Sequence, residues 1–301
     1  MLKSIPKKIP GIDEIETIII DDGSSDKTVE VAKQYGVKNV VSHARNRGLA
    51  HSFRDGLRAS LDLGADIIVL TDGDNQYPQD RIPDLVAPIV AGKADIVIAD
   101  RQTATIEHFS PFKKFLQKAG TWVLNQAAGT KIPDATSGFR AWSRDAAMQI
   151  NLVTRYSFGM ETIIQSGVKR HSIATITIQT NEKTRESRLF KSPIQHARKQ
   201  SLVIVRSFIM YKPYAIFLTL GVALLLIGLI PFVNYTYVWI FNHRPYGAHH
   251  LQSLIIGVVF LLASFMSFML GIVADLTRMN RSLLEDVLEE VRRQRPPQDS
   301  L

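Results

Sequence analysis

Residues 71–80 read TDGDNQYPQD and follow directly on ADIIVL at 65–70. The apolar run is continuous rather than alternating, so it predicts a short strand covered on both faces. Asp72 and Asp74 then stand at its end. On a continuing strand their side chains share one face, and a turn at Gly73 also lets their oxygens converge. Two carboxylates without a basic neighbour repel each other. A divalent cation relieves this and prefers oxygen ligands. The same pattern also fits a solvated acidic turn or a carboxylate that caps the next helix.

Other strand candidates surround this one. ETIIIDDGS (16–24) reads as a strand ending in Asp21 and Asp22, and SSDKTVEVAKQYG as a capped helix closed by Gly36. VKNVVS is a short strand, and NRGLAHSFRDGLRASLDLG a turn and helix stopped by Gly64. RIPDLVAPIVAG reads as a helix and ADIVIADR (94–101) as a fourth strand. This rhythm predicts an α/β fold with a mostly parallel, Rossmann-like sheet. Ligands of such sheets bind beyond the carboxyl ends of the strands, where Asp21, Asp22, Asp72, Asp74 and Arg101 all fall. Residues 111–129 look helical, with a mix of apolar and basic side chains. KIPDATSGFRAWSRD (131–145) reads as a loop carrying Arg140, RYSFGMETIIQSG as a helix carrying Glu161, and NEKTRESRLF as a charged loop carrying Arg185 and Arg188. Arginine forks suit phosphate oxygens.

The rest of the chain changes character. Residues 214–233 and 251–274 carry no charge. At about 1.5 Å per residue each can cross a hydrocarbon layer of roughly 30 Å. Pro231 falls near the end of the first span. Arg198, Lys199, Arg206 and Lys212 precede that span, and Arg278, Arg281, Arg292, Arg293 and Arg295 follow the second. Positive flanks predict a cytoplasmic soluble part and cytoplasmic termini, with 234–250 as an outer hairpin bearing Tyr235, Tyr237, Trp239 and Tyr246. The resulting division is a soluble domain at 1–192, a basic interfacial helix at 193–212, a transmembrane hairpin at 213–275, and an amphipathic C-terminal helix and tail at 276–301. That last helix suits a surface or self-association role, which would make a homo-oligomer. The formal net charge of +8 is accounted for at the membrane flanks, and no aromatic-basic platform for nucleic acid is seen. The absence of cysteine excludes disulfides and thiolate chemistry. The opening MLKSIPKKIPGIDE holds no apolar run of signal-peptide length.

VLTDGDNQYPQD, taken with IIIDDGSSDKT, NRGLAHSFRDG, ADIVIADR and DATSGFRAW in order, resembles the GT-A-fold family 2 glycosyltransferases. NEKTRESRL followed by a membrane hairpin is most similar to their polyprenyl-phosphate sugar transferases, the dolichyl-phosphate mannose synthase-like branch. The resemblance runs from about Ile15 to Leu189. It implies an inverting, metal-dependent transfer of a sugar from a nucleotide-sugar, of the GDP-mannose or UDP-glucose type, to a polyprenyl or dolichyl phosphate in the bilayer. By the same resemblance Asp72 lies near the ribose and diphosphate, and Asp74 is the main ligand of Mg²⁺ or Mn²⁺, with Gln76 assisting. Asp22 contacts the base with Asp21 in support, and Arg101 orders the donor. Arg140, Arg185 and Arg188 meet acceptor phosphate, and Glu161 stands near the acceptor. Arg188 replaces the Lys that many relatives carry in a Ser-Lys-Leu run, which keeps the charge and changes its shape. The resemblance also implies a first strand and a Pro-x-Tyr-Asn-Glu segment ahead of residue 1, so part of the nucleotide pocket is expected to be missing. An inactive or regulatory membrane scaffold and a polysaccharide synthase are the other functions that the same motifs allow.

Overall fold

The computed structural model describes residues 1–102, 111–152, 158–181, 213–241 and 248–294. Arg185, Arg188 and the expected interfacial helix at 193–212 lie outside the described residues. The chain divides into two units, residues 1–207 with 285–301, and residues 208–284.

Six strands carry the first unit: β1 (Ile18–Asp21), β2 (Asn39–Ser42), β3 (Ile67–Leu70), β4 (Ile96–Asp100), β5 (Arg140–Ser143) and β6 (Ile173–Thr177). β1 and β2 pair in parallel as one two-stranded sheet, and a second sheet has the order β3–β5–β4–β6. β4 and β6 are parallel, but β5 is antiparallel to both of its neighbours. The single, mostly parallel sheet expected from the sequence is therefore a mixed sheet and a separate pair. β1 pairs only with β2 and β3 only with β5, so one edge of each has no strand partner among the described residues.

β5 is the element that the sequence pattern concealed, because FRAWSR is too short to show a period of its own. Burial explains it. Phe139, Ala141 and Trp142 are almost wholly buried, and they complete the packing between β3 and β4. Strand alternation sends Phe139 and Ala141 to one face and Arg140 and Trp142 to the other. On the first face they join Tyr77, Ile82, Leu85, Val86, Val97 and Ala99 beneath helix α3 (Ile82–Val90). On the second face Trp142 meets Phe53 edge-on at 5.4 Å, and Phe53 stacks on Phe158 at 4.4 Å. Phe53 comes from α2 (Leu49–Asp62), which follows α1 (Thr28–Gln34). β4 is buried from Ile96 to Ala99, as a strand covered on both sides should be, whereas in the edge strand β3 only Ile68 reaches that state.

Three further helices complete this unit: α4 (Pro111–Ala128), α5 (Arg144–Met148) and α6 (Phe158–Val168). α4 and α6 approach so closely at Gly167 that an added Cβ would lie 2.0 Å from the Ala128 carbonyl oxygen.

The second unit holds α7 (Pro213–Phe241) and most of α8 (Ala248–Arg293). Both are long and apolar enough to cross a membrane. Small residues bring their backbones together. Ser264 donates to the Gly221 carbonyl at 2.7 Å and Ser267 to that of Phe217 at 2.8 Å. α7 continues past Pro231 to Phe241, so the proline is internal and Tyr235, Tyr237 and Trp239 stand on helix rather than in a hairpin loop. α8 likewise runs unbroken through the boundary expected at 275/276.

From Glu285 onward α8 belongs to the first unit. Arg292 donates to the Ile150 carbonyl at 3.1 Å and to Asn151 Oδ1 at 2.9 Å, and Arg293 pairs with Asp145 at 2.9 Å. The polar side of this helix is thus the engaged one, while Val287, Leu288 and Val291 remain exposed.

Gly167→Ala is expected to lower stability by about 1–3 kcal/mol, because backbone on either side leaves the methyl no space. Thermal unfolding of the purified protein reads it, and an unchanged midpoint would remove the proposed α4–α6 approach.

Candidate active site at the carboxyl ends of the strands

Reversal of β5 decides what reaches the site. Arg140 opens this strand opposite Leu70 of β3 and Ile98 of β4. The loop that precedes it, Asp134–Gly138, therefore arrives at the carboxyl ends of both neighbours. There it meets the turn after β3 and the end of β4.

The turn after β3 is built by its own polar groups. The Gln76 amide donates to Asp74 Oδ1 at 3.1 Å, and Asn75 takes a left-handed conformation (φ 61°) that asparagine tolerates. Beyond β6, Asn181 closes over the turn, with its side chain donating to the Asn75 carbonyl at 2.9 Å and its amide to that of Gln76 at 2.9 Å. Gln79 donates to Thr71 Oγ1 at 2.8 Å. Tyr77 turns inward and accepts from the Gly138 amide at 2.8 Å. A Cβ at Gly138 would stand 3.2 Å from Asp72 Oδ2, so the two loops touch at the carboxylate itself.

Burial is the main reason that the Asp72 carboxyl is pushed up from 3.8 to about 6; the charge of Asp74 adds to the rise and Arg101 opposes it. Arg101 has a firmer partner. It donates to Asp134 through Nε at 2.7 Å and Nη2 at 3.1 Å, and to Thr136 Oγ1 at 2.6 Å. Burial disfavours both ions, yet the pairing holds Arg101 above and Asp134 below their ordinary ranges. Asp134 and Tyr77 were not singled out by the sequence reading. DATSG carried the signal for the first, since an Asp two residues before a Thr forms a local turn, here with the Thr136 amide at 3.1 Å.

Arg140 does not reach this mouth. Alternation places it on the Trp142 face, wholly buried beneath α6. Its guanidinium donates to the carbonyls of Ser137 (2.8 Å), Gly159 (2.8 Å) and Ala135 (2.9 Å) and to Thr162 Oγ1 (3.0 Å). Burial pulls it down to about 10. Where a contact with acceptor phosphate was expected, the guanidinium braces the 135–138 loop against α6. Glu161 is also fully buried within α6, where Gln165 donates to it at 3.4 Å, rather than lying on an acceptor surface.

Asp21 ends β1 in the paired sheet and Asp22 follows it. Asp21 accepts from the Ser24 amide at 3.1 Å. Asp22 accepts from the Arg47 and Gly48 amides at 2.8 and 2.9 Å and lies 2.8 Å from His43 Nδ1. Its burial works against ionisation, but these hydrogen bonds outweigh it and hold the carboxyl below 3.8.

Among the described residues no three His, Cys, Asp or Glu side chains gather to hold a metal. The pair Asp72 and Asp74 still fits a Mg²⁺- or Mn²⁺-type ion, which takes one or two carboxylates and completes its shell with water and phosphate oxygens. A buried carboxyl raised by a second one beside it is a donor set that a cation would relieve. Cation uptake by the purified protein is expected to fall as the pH drops below about 6, where Asp72 becomes neutral. Between 3.8 and about 6 the folded protein holds a proton that the unfolded chain has released, so this residue's stability contribution declines as pH rises through that window. Asp72→Asn should therefore gain about 3 kcal/mol at neutral pH while losing the cation. Calorimetry with and without Mn²⁺ measures both, and a destabilised variant would contradict the assignment.

The glycosyl transferase family 2 profile matches residues 1–150. The chain is 32% identical over 171 residues to the uncharacterized protein MJ1222 of Methanocaldococcus jannaschii, covering 54% of this chain and 70% of that one. It is 25% identical over 201 residues to the UDP-N-acetylglucosamine–dolichyl-phosphate N-acetylglucosaminyltransferase of Methanococcus voltae, covering 60% and 80%. Among solved structures, glucosyl-3-phosphoglycerate synthase of Mycobacterium tuberculosis with Mn²⁺, UDP-glucose and phosphoglyceric acid superposes with a TM-score of 0.51 at 22% identity, over 69% of this chain and 72% of that one. The likeness to that structure is one of fold. With a matching profile over the strand-end motifs and a relative covered over most of its length, the chain belongs to glycosyl transferase family 2 and has its GT-A fold.

Proposed function

We propose that the protein transfers a sugar from a nucleoside-diphosphate donor to a polyprenyl phosphate, with inversion at the anomeric carbon. The observation that carries this reading is the meeting of Asp72 and Asp74 with the Arg101–Asp134 pair at the strand ends. Two membrane-length helices in the same chain favour a lipid-borne acceptor. So does the Methanococcus voltae relative, which uses dolichyl phosphate.

In this reading Asp72 and Asp74 hold Mg²⁺ or Mn²⁺, with Gln76 nearby. Such an ion offsets charge on the diphosphate as the glycosidic bond breaks. Asp22, supported by Asp21, takes an N–H of the base. Arg101, fixed by Asp134 and Thr136, gives the donor side a wall that does not move. Arg185 and Arg188 receive the acceptor phosphate. An oxygen of that phosphate bonds to the anomeric carbon as the carbon–oxygen bond to the nucleoside diphosphate breaks, and the diphosphate leaves with the electron pair. A phosphate monoester has a second pKa of about 6, so the nucleophile is already ionised near neutrality and no strong protein base is needed. The soluble part and both termini face the cytoplasm, as the basic flanks of α7 and α8 favour.

Membranes carrying the protein, incubated with a panel of nucleotide-sugars and dolichyl phosphate, should yield one singly glycosylated lipid by mass. A longer glycan would favour a polysaccharide synthase, and no transfer from any donor would favour a scaffold. Asp74→Ala should lower turnover by about a hundredfold or more, the scale of losing one aimed electrostatic stabiliser. Membrane insertion should persist, chelation should stop the wild type, and added Mn²⁺ or Mg²⁺ should restore it. Arg188→Ala should raise the KM for lipid phosphate more than that for the donor; the reverse order would reject its place.

A further inference from the structure

His43 is buried between two carboxylates. Its Nδ1 lies 2.8 Å from Asp22 Oδ1 and its Nε2 3.0 Å from Asp55 Oδ2, with 5% of the side chain exposed. Its own amide donates to the Asp21 carbonyl at 2.9 Å, just beyond the paired strands. A histidine in the core usually satisfies one nitrogen with a carbonyl or water. Here both nitrogens face ionisable oxygens, and an imidazole donates from both only when it carries a proton on each.

The surroundings give this arrangement a purpose beyond filling the core. Asp22 is the first residue of the β1–α1 loop. Three donors reach it: the His43 ring, the Arg47 amide and the Gly48 amide. Two of them share Oδ1, and Oδ2 receives only the Gly48 amide at 2.9 Å. The Asp22 side chain remains 22% exposed, so Oδ2 keeps an accepting direction open to a ligand. The loop that follows is equally fixed, since a Cβ at Gly23 (φ 78°) would lie 2.7 Å from the Arg45 backbone. On the far side Asp55 is held by Arg47 Nη1 at 3.4 Å and Arg54 Nε at 3.3 Å. The chain of contacts therefore runs from α2 through Asp55 and His43 to one aimed oxygen at a strand end.

We infer that His43, braced by Asp55, is a positioning residue for the donor nucleotide, fixing the Asp22 carboxylate that accepts from the base. The inference rests on the donor-binding reading given above. The carboxylates that meet the ring are Asp22, just after β1, and Asp55 of α2, and Arg47 and Arg54 contact Asp55.

The test is calorimetric binding of UDP and GDP, with saturating Mn²⁺, to the full chain in detergent. His43→Gln, which offers a single donor, should bind whichever nucleotide the wild type binds about tenfold more weakly. Asp22→Asn should cost less in that background than in the wild type, because the two residues act as one unit. Asp55→Asn keeps an acceptor but removes its charge, so it should weaken binding in the same direction. That variant decides the matter if His43→Gln does not fold. Variants matching the wild type in affinity would overturn the inference while leaving the donor reading intact. A wild type that binds neither nucleotide would bring down both together.

Discussion

Everything at the mouth of the larger sheet depends on one constraint: β5 is inserted between β3 and β4 in the opposite direction. Its backbone pairs Ile67–Leu70 on one side and Ile96–Ile98 on the other. Because side chains alternate, that single placement distributes Phe139 and Ala141 to the α3 face and Arg140 and Trp142 to the α6 face. Because the strand is reversed, the residues before it, rather than those after it, lie at the ligand-binding end. A parallel strand would have sent Asp134–Gly138 to the opposite edge. Asp72 would then have faced solvent without Gly138 beside it, and Arg101 would have lacked Asp134.

The same constraint explains why a buried arginine is tolerated. Burial of a guanidinium is costly unless its donors are satisfied. Arg140 finds three carbonyls and a hydroxyl, all supplied by the segments that β5 brings together. It ties the 135–138 loop to the start of α6 without offering charge to a ligand. Fixed loops, not fixed charge, are its contribution. A site meant to favour one charge distribution gains from groups already held in place, since they need not reorganise when a ligand enters.

Strand ends were the legible part of the sequence. Apolar runs at 18–20, 67–70 and 96–99 are continuous, each is followed within two residues by a carboxylate, and each became a strand. Asp72 and Asp74 were visible for that reason. Arg140 was legible as a charge but not as a direction, because a four-residue strand carries too little pattern to reveal which face its first residue takes. Asp134 and His43 were hidden differently. Neither stands at the end of an apolar run, and each acquires its role from a partner distant in sequence, Arg101 or Asp22. The second unit shows the converse. Hydropathy located both long helices, but α7 and α8 extend beyond their apolar segments, since helix continues wherever backbone hydrogen bonds do and is not ended by a change in polarity.

The charge pattern that follows is selective. Arg101 is the basic side chain nearest Asp72 in the described site, and its forked donors are already taken by Asp134. The pair is close to neutral as a unit, so Arg101 only partly relieves the carboxylates beside it. Asp72 consequently remains pushed up to about 6, with Asp74 adding to the rise. Had Asp134 been apolar, Arg101 would be free to swing onto Asp72, and the mouth would hold a satisfied ion pair with little need of a cation. By occupying the arginine, Asp134 preserves the deficit that, in the proposed function, a divalent ion and a diphosphate fill together. The second acidic loop acts through the basic residue it restrains, and the electrostatic vacancy between Asp72 and Asp74 is its consequence.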